Sequence, residues 1–195
     1  MFLFAHTGIT LGAAMLAQGA VLRCSTNKNP DDGTKRKLSL SVITKELTRN
    51  IDIRFLIIGS LLPDIIDKPL GAFHFGDGRS IAHTLLFFLV FITAELLIYL
   101  KNKNNTGMVI SAGILTHLIL DSMWRNTKVL IWPFNGSHFI ASNNTANWFN
   151  IWAEMLVKEP KVYIGEAIGF LILAYFVWWL VKQKKVTKFI KNGRL

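Results

Sequence analysis

Long hydrophobic runs alternate with shorter polar stretches along this chain. Most of the runs approach the roughly 20 residues that an α-helix needs to cross the hydrocarbon core of a bilayer. The pattern predicts an all-α fold: a polytopic helical membrane protein with about five transmembrane or membrane-inserted helices, in a single domain over residues 1–195. The predicted segments are 2–22, 51–66, 81–100, 107–124 and 162–181.

The second segment is the shortest, and it leads into a stretch that carries two carboxylates. Asp64 and Asp67 follow Pro63 at the end of the apolar run. Because proline lacks the amide that an α-helix requires, we expect Pro63 to help break this helix, so that the loop at 67–80 presents both carboxylates. The segment is short for a full crossing, and we expect it to be tilted or partly inserted.

The distribution of charged residues indicates how the predicted helices are oriented in the membrane. About half of the chain is hydrophobic (51 %), and 22 Lys and Arg residues against 12 Asp and Glu residues give a net charge of +10. With five crossings, 16 of the 22 basic residues fall on one side, in 23–54, 101–106 and 182–195. The positive-inside rule makes that side cytoplasmic. We therefore expect a multi-pass protein of the cell membrane with its N-terminus outside and its C-terminus inside, and no nucleic-acid partner.

This topology brings six embedded polar residues to one depth on the outer side, although none of them was used in counting charges. An ionisable residue inside a bilayer costs about 2.5–3.5 kcal/mol on insertion scales. Carboxylates at this depth therefore require a cation. The six residues are His6, Asp64, Asp67, His83, His117 and Asp121.

Imidazole and carboxylate groups together suit a divalent metal, above all Zn²⁺ but also Mn²⁺ or Fe²⁺. His117 and Asp121 are four residues apart, a spacing that a helix places on one face. Six candidate ligands exceed the needs of one tetrahedral ion, so one or two ions are expected. Two ions can activate water and stabilise displacement at phosphorus. The single cysteine excludes both an intrachain disulfide and a Cys-based metal site.

Two further residues are candidates for catalytic roles. Asp67 either supports a metal ligand or acts as a general base. Arg79 lies four residues before His83 and either binds the anionic group of a substrate through its planar guanidinium or extends toward the membrane interface. Expected partners are membrane lipid and a phosphoester substrate, either a small molecule or a lipid. Glu166, nearer the outer end of the last segment, is a lesser candidate.

Several motifs, in order along most of the chain, resemble the YdjM-like (LexA-binding) inner-membrane-associated metal-dependent hydrolases. They are His6-Thr7-Gly8, Gly59–Asp67 (GSLLPDIID), Arg79–Leu86 (RSIAHTLL), Gly113–Asp121 (GILTHLILD) and Trp132-Pro133-Phe134. The resemblance implies a membrane-bound hydrolase that needs metal. More remotely, the order His, Asp, His, His-x-x-x-Asp is similar to the metal core of zinc-dependent phospholipase C. That likeness implies His6, Asp64, His83, His117 and Asp121 as ligands, with Asp121 bridging two ions.

Two other classes of function stay open. An ion-binding or transport protein would need ionisable residues through the full depth of the membrane, and toward the inner half the spans offer Glu95. A non-catalytic membrane anchor would recruit a cytoplasmic partner through residues 23–54 and the basic tail.

Overall fold

A computed structural model of the chain describes residues 3–26, 51–72, 78–136, 153–154 and 156–193. None of these residues lies in a β-strand, so the predicted all-α class is confirmed. Short 3₁₀ turns at Ile81–His83 and Met123–Arg125 join some of the helices. The helices are α1 (Leu3–Thr26), α2 (Ile53–Ala72), α3 (Leu85–Asn102), α4 (Thr106–Leu120), α5 (Thr127–Leu130), α6 (Pro160–Lys182) and α7 (Val186–Asn192).

The helix ends sort into two groups, as alternating crossings require. At one end, the backbone N–H of Ile53, the first residue of α2, donates to the carbonyl oxygen of Gly193 beyond α7 at 2.9 Å. Ile53 also packs with Leu11, Phe176 and Leu180 in a buried apolar cluster that ties α1, α2 and α6 together. At the opposite end, the first turn of α1, the last turns of α2 and α4 and the region before α3 meet around polar side chains.

Lipid-facing surface explains why so much apolar side chain is exposed. Among the described residues, α3 and α6 are long and apolar enough to cross a membrane, and α4 is a shorter apolar helix. Only 6 % of the residues in α3 and 28 % in the apolar window of α6 are buried within the protein. Core helices of soluble proteins are mostly buried, so these two helices instead present their side chains to an apolar surrounding, as lipid-exposed spans do.

Glycines bring two helix pairs to backbone contact. A Cβ atom at Gly8 in α1 would overlap the carbonyl oxygen of Gly169 in α6. A Cβ atom at Gly113 in α4 would overlap the carbonyl oxygen of Leu56 in α2. Small residues at such crossings let helices approach closely in lipid, where van der Waals contact replaces the hydrophobic effect as the source of association. The polar residues one or two turns away are held by these crossings.

The expected break at Pro63 is wrong. Helix α2 continues through both Pro63 and Pro69 to Ala72. Proline removes one backbone hydrogen bond, but packing against neighbouring helices compensates for this loss within a membrane, and here the α2–α4 contact at Gly59 lies one turn before Pro63. The resulting 20-residue helix is about 30 Å long at 1.5 Å per residue, enough to cross the bilayer. Asp64 and Asp67 therefore project from one helical face rather than from a loop.

Two other segment boundaries differ from the prediction at the polar end. The third segment was expected to begin at Ile81, but His83 lies in a 3₁₀ turn and α3 begins at Leu85. Thr84 separates them, since its side-chain oxygen accepts the Phe87 N–H at 3.0 Å and caps α3. The fourth segment ends at Leu120, so Asp121 is the residue that closes α4, and its N–H still donates to the His117 carbonyl at 2.9 Å.

Substitution of Gly113 by Ala should destabilise the protein, because the three atoms nearest to the new methyl group are backbone atoms of Leu56, Gly59 and Ser60, which cannot move aside as a flexible side chain could. Overpacking of this kind costs about 1–3 kcal/mol. Gly19→Ala is the matched control, since a Cβ atom at Gly19 has no neighbour within 4 Å among the described residues and alanine has the better helix propensity. Heat unfolding in detergent measures both variants. Equal stability of the two variants would contradict the close α2–α4 contact.

Candidate metal centre

Asp67 holds the ring of His83 in a fixed orientation. One carboxylate oxygen of Asp67, Oδ2, lies 2.7 Å from His83 Nδ1 and also accepts the backbone N–H groups of Ser80 at 2.7 Å and His83 at 3.2 Å. The other oxygen accepts the N–H of Ala82 at 3.1 Å. Both Asp67 and His83 are fully buried. Since a carboxylate accepts, Nδ1 of His83 carries the proton, and Nε2 is left as the free electron-pair donor of the neutral ring.

His117 is fixed in the same way by a backbone group. Its Nδ1 lies 2.7 Å from the carbonyl oxygen of Ser60, and a carbonyl can only accept, so this nitrogen is also the protonated one. The close α2–α4 crossing at Gly113 makes this contact possible, because Ser60 stands next to Gly59 on the facing helix. Ligand histidines in proteins usually donate their second ring N–H to a carboxylate or a carbonyl, as both of these do.

The two remaining ring nitrogens point at each other. Nε2 of His83 and Nε2 of His117 are 3.1 Å apart. Two neutral imidazoles would there oppose their lone pairs in a fully buried position, which is repulsive. The contact is favourable only when a cation, either a proton or a metal ion, lies between the two nitrogens. Two histidine nitrogens bound tetrahedrally to one zinc ion at 2.0–2.1 Å are about 3.3 Å apart, close to the observed separation.

His6 completes the group of imidazoles. It is fully buried, and its ring stacks on that of His117 with 4.1 Å between centroids. Its Nε2 lies 3.1 Å from Asp121 Oδ1, within ion-pair distance, and its Nδ1 has no hydrogen-bond partner among the described residues. Buried polar atoms nearly always have a partner. A ring of this kind beside two carboxylates therefore fits the chemistry of a metal ligand.

Asp64 and Asp121 supply carboxylate oxygens around these rings. Asp64 Oδ1 lies 3.8 Å from His83 Nε2 and 3.9 Å from His117 Nε2, and Asp121 Oδ2 lies 4.0 Å from His83 Nε2. The candidate donor atoms form two groups, each within 4.8 Å: His6, Asp64 and His117, and then His83, His117 and Asp121. Both groups use His117, whose Nδ1 is committed to Ser60. A single ion could therefore be bound by all the residues of one group. A second ion would lack His117 and would have to be bound by the other two residues of the second group.

Cationic side chains flank the carboxylates on two sides. Arg79 Nε donates to Asp121 Oδ2 at 3.0 Å, and the Arg79 side chain is 43 % exposed. Lys68, one turn after Asp64 on α2, has its Nζ 2.8 Å from Asp64 Oδ2 and is 56 % exposed. Both cations thus reach from the buried cluster to the surface of the protein.

Glu166 has a role that differs from that of a candidate ligand. The carboxylate of this buried residue accepts the backbone N–H groups of Phe4 at 3.0 Å and Ala5 at 3.2 Å. These amides belong to the first turn of α1, where no helical partner exists and the helix dipole favours a negative charge. Glu166 therefore anchors α1 to α6 one turn or less from His6. In the sequence, Glu166 is distinguished only by being an acidic residue within an apolar segment.

The structure brings together all six residues of the predicted outer cluster, and it places Arg79 and Lys68 at the edge of this cluster. It gives Asp67 a supporting position, because its oxygens are occupied by four hydrogen bonds from residues 80–83. That arrangement favours the role of ligand support over that of general base. The contribution of the Ser60 carbonyl was not foreseen, since any residue type offers the same backbone oxygen.

A bundle with lipid-facing spans and a polar cluster at one end defines a helical membrane protein. The chain belongs to the YdjM inner membrane protein family, whose model matches residues 4–186. The family resemblance and the membrane location expected from the sequence are thereby confirmed. The description of the family names a membrane and no reaction, so hydrolase activity and the likeness to phospholipase C stay predictions. No curated protein and no solved structure is significantly similar to this chain.

The substitution Asp67→Asn distinguishes the two roles considered for Asp67, which are support of a metal ligand and general-base catalysis. The amide nitrogen would face backbone N–H donors or His83, so the ring of His83 would lose its fixed orientation. We expect the affinity for Zn²⁺ to fall about 10–100-fold, as is typical when a partner of a ligand is lost, and activity to return when metal is added in excess. Metal titration together with hydrolysis assays measures both effects. An unchanged metal affinity with no activity at saturating metal would instead identify a general base.

Glu166→Ala should weaken metal binding although α6 supplies no candidate ligand. The first turn of α1 would lose the acceptor of its Phe4 and Ala5 amides, and His6 would lose its fixed position. Glu166→Gln keeps one acceptor oxygen and should restore most of the affinity. Isothermal titration with Zn²⁺, next to unfolding of the metal-free protein, checks this. Equal affinity in Glu166→Ala and the wild type would rule out the positioning role.

Proposed function

We propose that this protein is a membrane-bound, metal-dependent hydrolase that cleaves a phosphoester. The observation that carries the proposal is the 3.1 Å approach of His83 Nε2 to His117 Nε2, both with Nδ1 committed as a donor. Such a pair requires a cation, and a metal ion also satisfies His6, Asp64 and Asp121 around it. The residues that would hold the metal are therefore His6, Asp64, His83, His117 and Asp121.

Zinc is the ion that best fits this donor set, because neutral imidazole and carboxylate are its usual ligands in catalytic sites. A divalent ion bound here supplies a Lewis acid and lowers the pKa of water toward neutrality. In the reaction, the oxygen of one water forms a bond to phosphorus, the P–O bond of the ester breaks, and the leaving oxygen takes up a proton. Asp67 and the Ser60 carbonyl keep His83 and His117 oriented throughout.

The charge balance supports an anionic substrate. Asp64 pairs with Lys68 and Asp121 pairs with Arg79, whereas Asp67 lies against His83. With neutral histidines and one divalent ion, the centre carries one net positive charge, which favours a phosphoester over a neutral ester. The guanidinium of Arg79 is fixed at Nε by Asp121 and extends to the surface, a position from which its planar group suits a phosphate oxygen pair.

The orientation in the membrane is part of the proposal. The basic stretches at the end opposite the centre favour a cytoplasmic location for that end, so the centre would face the outer side, with the N-terminus outside and the C-terminus in the cytoplasm.

A transport function has less support from the described residues. The carboxylate of Glu95 lies against Gly107, at the start of α4, and Gly107 is about 15 Å from His117 along the helix axis. The ionisable groups of the cluster thus gather at one end, whereas a transport path needs them at successive depths. The alternative of an anchor rests on residues 23–54 and the basic tail, of which residues 27–50 and 194–195 lie outside the described residues.

Metal analysis of the purified protein tests the proposal. We expect at least one equivalent of bound zinc, and hydrolysis of a phosphodiester that stops when a chelator removes the metal. His117→Ala and Asp121→Asn should lose both metal and activity, whereas Glu154→Gln, at an exposed residue that pairs with Lys158 and not with the cluster, should keep both. Absence of metal from wild-type protein that has been supplied with zinc would refute the proposal.

A further inference from the structure

We propose that the substrate is a lipid phosphoester that enters the centre sideways from the bilayer, through a groove between α1 and α2. The inference rests on the proposed hydrolase function and adds to it a route of entry, a class of substrate and the residues that contact it. It is carried by three observations: which side of the cluster is open, what lines that opening, and how the opening is oriented along α2.

The cluster is closed on nearly all sides. The side chains of His6, His83, His117 and Asp67 are fully buried, and that of Asp121 is 1 % exposed. Asp64 differs, since its side chain is 12 % exposed. Asp64 is thus the point at which one of the candidate ligands reaches the surface of the protein.

Asp64 opens into a groove of about 270 Å³. Apolar side chains form most of its wall, and two of them, Leu3 on α1 and Ile65 on α2, are more than half exposed. A groove that faces the bilayer is filled by lipid, because water is absent from the hydrocarbon core. The lining residues are Leu3, Leu61, Asp64, Ile65, Lys68 and Pro69.

The orientation of the groove matches that of a phospholipid. Lys68 lies near the end of α2, one turn beyond Asp64, and Leu61 lies about 10 Å deeper along the helix axis, next to Ser60, whose carbonyl oxygen contacts His117. A lipid in the groove would therefore place an acyl chain against Leu61 and its phosphate beside Lys68. Lysine side chains that extend to the interface commonly bind anionic headgroups there.

The alternative entrance lies beside Arg79, whose side chain is 43 % exposed. A soluble phosphoester could approach from this side without occupying the groove. The two routes make different demands on Leu61, since only a lipid substrate would contact it.

Leu61→Trp fills the groove without removing a candidate ligand. Wild-type and variant proteins in vesicles would be supplied with a two-chain glycerophospholipid and, separately, with the water-soluble bis(4-nitrophenyl) phosphate. We expect kcat/KM for the lipid to fall about tenfold or more, the size of effect typical of a blocked apolar contact, and kcat/KM for the soluble ester to stay unchanged. Leu97→Trp, on the lipid-facing side of α3, is the matched control and should change neither value.

Two further measurements keep the result interpretable. Zinc content reports whether Leu61→Trp has left the centre intact; if it has not, Ile65→Trp takes its place, because the more exposed position tolerates a larger side chain.

Lys68→Gln should raise KM for the lipid more than for the soluble ester. Three results would each overturn the proposed entry through the groove. They are equal effects of the variants on both substrates, no effect of either groove variant on cleavage of the lipid, and cleavage of the soluble ester alone by wild type. If wild type that holds zinc cleaves neither substrate, the hydrolase function itself fails.

Discussion

The close approach of two fully buried imidazole nitrogens is the constraint on which the rest of this structure depends. His83 and His117 each use one ring nitrogen as a donor, to Asp67 and to the Ser60 carbonyl, and this commitment turns both free electron pairs toward a common point. Water would screen such a contact at a surface, but both rings are fully buried. Positive charge at that point would convert the repulsion between these two electron pairs into an attraction between the segments that carry the two histidines.

Helix packing sets the distances that this arrangement requires. The α2–α4 crossing must be close enough for a backbone carbonyl of one helix to reach a ring of the other, and the absence of a side chain at Gly113 permits this. The α1–α6 crossing at Gly8 and Gly169 works in parallel with Glu166 to hold the first turn of α1, and hence His6, against His117. Side-chain chemistry and backbone approach are therefore coupled, and a change in either affects the same cluster.

Much of this arrangement follows from the sequence, because helix crossings alternate in direction. Once five segments are drawn, His6, Asp64, His83 and His117 must come to the same end, and no knowledge of packing is needed. The helix boundaries are predicted less accurately from the sequence. Proline was expected to end α2, but a crossing helix has neighbours that compensate for the lost hydrogen bond, so Asp64 projects from a helix rather than a loop. The function of Glu166 depends on which helix end lies beside it, and the contribution of Ser60 comes from a backbone atom, so neither was available from residue types.

The sharing of His117 bears on how many ions the centre can hold. Six candidate ligands suggest two ions when they are counted in the sequence. In the structure, Asp67 is saturated by donors from residues 80–83, and one nitrogen of His117 is bound to a carbonyl. Five residues would remain to hold metal under the proposed function, and His117 is the residue that both groups of donor atoms share. A single imidazole nitrogen binds one ion, so a second ion would have to be held by carboxylates, and both candidate carboxylates already pair with a cationic side chain: Asp64 with Lys68 and Asp121 with Arg79. A second ion would thus compete with Lys68 or Arg79, which would couple the number of ions to the position of the side chains best placed to bind a phosphate.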